Sequence, residues 1–151
     1  MIIVPGDLNN EQVLALLRAH LAGMHESGPP GSVFALDLSG LSMPEVSLYT
    51  AWEGEKLLGM AALKEVCIDM GEIKSMRTDP AHTRKGVAAS LLDHMLVVAK
   101  ERGYRRLSLE TGSGPAFEPA VSLYRKYGFV NGDSFGDYEK SDFNQFLHLD
   151  L

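Results

Sequence analysis

The run Asp79-Pro80-Ala81-His82-Thr83-Arg84-Lys85-Gly86-Val87-Ala88 carries the clearest chemistry in the chain. It stands between a segment that alternates like a strand and a long segment with helical period. Such a junction gathers unpaired backbone N–H groups at the positive end of the helix dipole. Gly86 and the small Ala88 let an anion approach the main chain, and Arg84 and Lys85 add positive charge beside it. A pyrophosphate is the natural ligand of such a turn. The competing reading is a plain helix start with two solvated cations. The Gly-Lys-Ser/Thr ending of a P-loop is absent, as are the three spaced glycines of the dinucleotide fingerprint. No spacing of His, Cys, Asp and Glu suggests a metal site. The single cysteine, Cys67, ends an apolar stretch with no base placed beside it; burial as a small hydrophobe is expected rather than a covalent role.

The elements that must hold this turn are legible from period and punctuation. Ile2 to Val4 reads as a first strand stopped by Pro5 and Gly6. Asn9 or Asn10 can cap a helix to about Leu21, with Val13, Leu14, Leu17 and Leu21 in helical spacing. Gly28-Pro29-Pro30-Gly31 breaks the chain, and Ser32 to Pro44 fits either a short helix or a packed loop. Val46 to Trp52, Lys56 to Val66 and Glu72 to Thr78 form a three-strand meander, turning at Gly54-Glu55 and Asp69-Met70-Gly71. From Gly86 to Arg102 an apolar stripe (Ala88, Leu91, Leu92, Met95, Leu96, Ala99) marks the longest helix, with Gly103 past its end. Arg106 to Thr111 is a strand. A helix from about Glu118 begins with Pro119 and stops before Gly128, and Phe129 to Asn131 and Ser141 to Leu149 close the fold. The order β-α-βββ-α-β-α-ββ predicts an α/β (α+β) domain, 1–151, with a mixed sheet flanked by helices.

The phosphate-type turn resembles that of the GCN5-related N-acetyltransferase (GNAT) family, which reads Arg/Gln-x-x-Gly-x-Gly/Ala. Here Thr83-Arg84-Lys85-Gly86-Val87-Ala88 matches at Gly86 and Ala88 and departs at Thr83. A second motif agrees: Ala120, then Leu123-Tyr124 and Gly128-Phe129, with Phe117 where the family often has Asn. Ala35 to Leu38, Gly71 to Arg77 and Leu109 to Gly112 are similar to segments of small bacterial members, mostly of unassigned substrate. The resemblance is good from about Val46 to Phe129. It implies a mixed, mostly antiparallel sheet of six to seven strands with about four helices, and acetyl-CoA as co-substrate without a metal. It implies cofactor contacts at Thr83, Arg84, Lys85, Gly86, Val87, Ala88 and Ser90. It also implies contacts at Met76, Arg77 and Thr78, where the strand end pairs with the pantetheine arm and a backbone N–H meets the oxyanion.

Acetyl transfer to an amine needs a proton taken from nitrogen and a proton given to sulfur. A lysine-like amine has a reference pKa near 10.4, so on the order of one molecule in 10³ is free base at neutral pH. The resemblance places Glu72 at the offset of the family's strand base. Glu72, Lys74, Met76 and Thr78 would share one strand face; the alternative is a surface carboxylate paired to Lys74. Tyr124 falls at the family's acid position, and a protonated phenol can serve a leaving thiolate; the alternative is a core tyrosine, the reading preferred for Tyr127. His25, with His20, Met24 and Ser27, could line the acceptor pocket, and Lys74, Arg77, Glu110 and Thr111 could orient a charged acceptor.

Composition bounds the remaining choices. The 151 residues suffice for one core, with 45% hydrophobic and 23% charged residues. A formal charge of −6 gives a nucleic-acid partner no support. One cysteine suits a reducing cytoplasm, and no apolar run approaches the roughly 20 residues needed to span a bilayer. The N-terminus lacks a signal-peptide pattern, so a cytoplasmic protein without a membrane partner is expected. The leading expectation is an N-acetyltransferase acting on a small-molecule amine in a ternary complex. The alternatives are a protein N-terminal or lysine acetyltransferase and a non-catalytic acyl-CoA sensor. A homodimer is a family-level expectation.

Overall fold

The computed structural model describes residues 1–29 and 35–151. Seven strands form one sheet: β1 (Ile2–Pro5), β2 (Val46–Glu53), β3 (Lys56–Cys67), β4 (Met70–Thr78), β5 (Arg106–Gly112), β6 (Val130–Asn131) and β7 (Asn144–Asp150), in spatial order β1-β2-β3-β4-β5-β7-β6. All neighbours are antiparallel except β4 and β5. The helices are α1 (Glu11–Ser27), α2 (Leu38–Leu41), α3 (Val87–Glu101) and α4 (Glu118–Lys126), with a 3-10 turn at Pro80–His82. Seven strands and four helices in this order match the mixed, mostly antiparallel sheet that the family resemblance implies.

The sheet is buried on both faces, which explains why β3 is a continuous apolar run rather than an alternating one. On one face α3 lays down Val87, Leu91, Leu92, Met95 and Ala99 against Ala61, Leu63, Ile73 and Leu107. On the other, α1 packs Val13, Leu16 and Leu17 against Leu48, Met60 and Ala62. α4 joins the first layer: the Tyr127 hydroxyl reaches Ala89 O at 3.2 Å and Asp93 Oδ1 at 2.8 Å on α3.

Local chemistry sets the ends. Asn10, not Asn9, caps α1, its Oδ1 accepting from the N–H groups of Gln12 and Val13. α1 continues six residues beyond Leu21 and stops where Gly28 N–H reaches Met24 O. The expected helix end followed the loss of apolar spacing, but Gly23 alone does not end the helix, which runs on until Gly28. Gly54 turns the first hairpin with φ +59°, and the second turn falls at Ile68–Asp69, one residue earlier than expected. Leu38–Leu41 is a single turn capped by Asp37. Pro30 and Gly31 of the expected break, and Ser32, Val33 and Phe34 of the ambiguous stretch, lie outside the described residues. Cys67 is exposed rather than buried, because a register shift between Glu65 and Cys67 carries the end of β3 off the core; its Sγ lies 3.2 Å from Asp69 Oδ1.

Two irregularities in β4 position the site. First, the β3–β4 register shifts between Met60 and Ala62, whose partners are Arg77 and Lys74. The extra residue falls at Ser75, which takes φ +55° in the left-handed region and costs on the order of 1 kcal/mol. The alternation therefore slips: Arg77, not Met76, follows Glu72 and Lys74 onto the α1 face, and Met76 packs against the α3 layer. The expected common face of Glu72, Lys74, Met76 and Thr78 is corrected by this bulge. Second, β4 and β5 pair over only Met70–Glu72 and Arg106–Ser108. β4 runs on to Thr78 and β5 to Gly112, so beyond that point the β5-facing edge of β4 has no strand beside it among the described residues.

Candidate active site

The opening between β4 and β5 is a cleft of about 190 Å³. Its walls are Lys74, Ser75, Met76 and Arg77 of β4, Leu109, Glu110 and Thr111 of β5, Phe117, Ala120 and Tyr124 around α4, and His20, Gly23 and Met24 of α1. Nine of the anticipated site residues, His20, Met24, Ser27, Lys74, Met76, Arg77, Glu110, Thr111 and Tyr124, are brought together here.

At one end stands the strand-to-helix turn. Arg84 and Gly86 both take positive φ (63° and 77°), folding the chain sharply before α3. The first helical amide with an internal acceptor is Ser90 N–H, to Gly86 O at 2.9 Å. Gly86 is the N-cap without a side-chain cap, and a Cβ there would meet nothing within 4 Å. The amides of Val87, Ala88 and Ala89 thus point past an open, left-handed glycine, with exposed Thr83, Arg84 and Lys85 around them. Lys85 Nζ lies 3.0 Å from His82 Nδ1. These residues fit a diphosphate, and the unpaired edge of β4 that ends at Thr78 fits an extended amide-bearing arm.

Tyr124 is 5% exposed, and its ring packs edge-on against Phe129 at 5.6 Å. Its hydroxyl makes no hydrogen bond among the described residues and is not among the sealed-off polar atoms, so it opens to the cleft. Burial pushes this phenol well above its ordinary value and keeps it protonated at neutral pH. Phe117, where the family often has Asn, is 8% exposed and stacks edge-on with Phe143 at 5.5 Å, an apolar wall.

Glu72 is not in this cleft. It is 3% exposed and accepts hydrogen bonds from Lys74 Nζ at 3.3 Å and from the Tyr138 hydroxyl. It lines a second cavity with Lys64, Glu65 and Tyr138, and Lys74 borders both. The expectation of an exposed strand start fails because the 135–138 loop folds over it: Phe135 and Tyr138 pack on Phe146. Sequence reasoning missed Tyr138, whose only signal is an aromatic in a polar loop. Glu110 does face the cleft. Its pKa is raised to about 7, chiefly by burial, against the opposing pull of Lys74 and a hydrogen bond from Asn144.

On α1, His25 is exposed and lies outside the cleft, whereas His20 is 6% exposed and lines it. Five residues of α-helix rotate a side chain by roughly 140° from the starting face, so one histidine excludes the other. His20 is held at about 4 by burial first and by Arg77 second, hence neutral at pH 7. His20 Nδ1 and Ser75 Oγ are buried polar atoms without a hydrogen-bond partner among the described residues; each such group costs about 1–3 kcal/mol unless something satisfies it. Among the described residues, no cluster of three metal-ligating side chains occurs and no helix is long and apolar enough to cross a membrane.

Known proteins share the family pattern and the fold. Residues 13–129 match the model of the acetyltransferase (GNAT) family. The chain is 48% identical over 141 residues to the uncharacterised N-acetyltransferase YsnE of Bacillus subtilis, covering 93% of each. It is 44% identical over 145 residues to the uncharacterised N-acetyltransferase YedL of Escherichia coli, covering 96% of this chain and 91% of the other. Among solved structures, a GNAT family acetyltransferase from Elizabethkingia anophelis with acetyl-CoA bound superposes with a TM-score of 0.72 at 20% identity, over 99% of this chain and 97% of that one.

Proposed function

This chain belongs to the GNAT acetyltransferase family and is an acetyl-CoA-dependent N-acetyltransferase; from that premise we propose that its acceptor is a primary amine of a small molecule, attacking directly in a ternary complex. The observation that carries the reading is the shared cleft of Tyr124 and Glu110 at the open end of the β4–β5 gap. The cleft of about 190 Å³ has room for a small acceptor beside these two groups.

In this reading the amides ahead of α3 and the cations Arg84 and Lys85 hold the diphosphate. The free edge of β4, from Met76 to Thr78, pairs with the pantetheine arm and offers an N–H to the carbonyl oxygen. Glu110 takes the proton from the attacking nitrogen as the N–C bond forms. The Tyr124 hydroxyl donates to the sulfur as the C–S bond breaks. A phenol is a weaker acid than a thiol, the more so when buried, so Tyr124 keeps its proton and its hydrogen bond stabilises the leaving thiolate. The thiolate takes a proton from solvent, and Glu110 returns to solvent the proton it took from the amine. Glu72 fixes Lys74 at the cleft wall rather than meeting the acceptor, and Ser90, in the first turn of α3, sits with the diphosphate seat. The single cysteine supports placement in a reducing cytoplasm.

Thiol release from acetyl-CoA over an amine panel, with mass spectrometry of the products, tests the proposal. Acetylation of small amines is expected, with kcat reduced about 10²–10⁴-fold in Tyr124→Phe. Acetyl-CoA binding without thiol release for any amine would instead support a sensor; acetylation of peptides alone would support a protein acetyltransferase.

A further inference from the structure

The α1 wall of the cleft holds polar groups that acetyl transfer does not use. Arg77 is turned onto this wall by the bulge at Ser75. The Nη1–Nη2 end of its guanidinium faces α1 at Gly23, where an added Cβ would stand 3.0 Å from Nη1 and 3.3 Å from Nη2. Among the described residues the ion pairs are Lys74–Glu72 and Arg106–Asp150, so no carboxylate neutralises Arg77. His20 Nδ1 and Ser75 Oγ, both on residues more than nine-tenths buried, have no hydrogen-bond partner among the described residues and belong to side chains lining this same cleft.

We propose that the acceptor carries a carboxylate beside its amine, and that Arg77, Ser75 and His20 form the subsite that holds it. The guanidinium edge that does not face Gly23 matches a carboxylate, and the Ser75 hydroxyl and the His20 ring, whose Oγ and Nδ1 are sealed from solvent in the free protein, supply further donors by turning toward it. The charge count selects a monoanion. On the α1 side of the cleft, Lys74 is paired with Glu72 and His20 is neutral at pH 7, which leaves the positive charge of Arg77, with Glu110 on the opposite wall. A phosphate dianion would be left under-neutralised in so enclosed a place. Across the cleft, Glu110 is the counterpart for the nitrogen. A molecule with both groups, an amino acid or a close relative, thus lies with its anionic end on α1 and its amine toward Glu110 and Tyr124.

The amine half rests on the transferase reading; the carboxylate half does not, and the test has an arm for each. In the kinetic arm, thiol release is measured for matched acceptors: free amino acids, their primary amides, and the decarboxylated amines. The acids should exceed their amides in kcat/KM by about tenfold or more, the scale of a charged hydrogen-bonded contact. In Arg77→Gln that ratio should collapse toward one, with Arg77→Lys in between. In the binding arm, N-acetylated amino acids and their amides are titrated calorimetrically into the protein with CoA present. The acids should bind about tenfold or more tightly, with part of that difference lost in Ser75→Ala, a smaller change that keeps the fold if Arg77→Gln does not. Amides or decarboxylated amines that match the acids in both arms overturn the subsite. If acids bind preferentially but no amine releases thiol, the transferase reading fails and the subsite stands. If thiol is released with no advantage to acids in either arm, the subsite alone fails.

Discussion

Glu110 and His20 titrate in opposite senses, and both can be read from solution. Glu110 is raised from its ordinary 4.5 to about 7, so as proton acceptor it works only above that value. The rate should climb with pH through about 7 in wild type, and Glu110→Gln should lose that limb; a profile identical to wild type would remove the role. The sign for stability follows from linkage: between 4.5 and 7 the folded protein binds the extra proton, so Glu110 makes unfolding easier as pH rises through that window. His20, lowered from 6.5 to about 4, does the reverse, because the unfolded chain binds the proton and stability rises with pH across that window. His20→Phe should flatten this second slope in pH-dependent thermal melts. At this scale the sequence was partly legible. Tyr124 sits in a local motif, and its neighbours on α4 place it. Ser75 and Tyr138 carry no such signal: one matters through a bulge that exists only when β3 and β4 pair, the other through a loop packed from 66 positions away.

α1 carries a glycine in mid-helix, which ordinarily costs about 1 kcal/mol relative to alanine. Gly23 has a reason to persist, since Arg77 occupies the space a methyl would take. Gly23→Ala should therefore leave the melting temperature nearly unchanged, the gain in propensity offsetting the crowding, while the preference for acidic acceptors falls several-fold. A clear rise in stability with selectivity intact would show that the guanidinium moves aside freely. At the start of α3, Gly86→Ala should lose on the order of 1 kcal/mol, because alanine resists φ +77° although nothing blocks its methyl. Helices and strands with strong period were recoverable from sequence to within a few residues. The end of α1 was not, because its last turns carry Gly23 and exposed His25, Glu26 and Ser27 and lose the apolar stripe.

For the whole molecule, the decisive arrangement is a sheet covered on both sides but unzipped along one seam. The parallel pairing between β4 and β5 stops at Glu72 and Ser108, and CoA is expected to supply the missing partner. Backbone amides of Met76 to Thr78 should exchange with deuterium faster than those of Met70 to Glu72 in the free protein, and slow markedly when CoA is added. Equal protection with and without CoA would mean that the arm lies elsewhere. The topology and the mixed sheet were implied by element order and by the resemblance at Gly86 and Tyr124. The face that each β4 residue takes was not, since the period of two holds only until the register slips.

Tyr127 hangs α4 from α3 by a single phenol, through Ala89 O and Asp93. In the proposed mechanism, the helix whose first turn holds one end of the acyl donor is thereby the gauge for where the hydroxyl at position 124 meets its other end. Tyr127→Phe leaves both tools intact but uncalibrated: CoA should dock as before, while turnover drops for every acceptor alike.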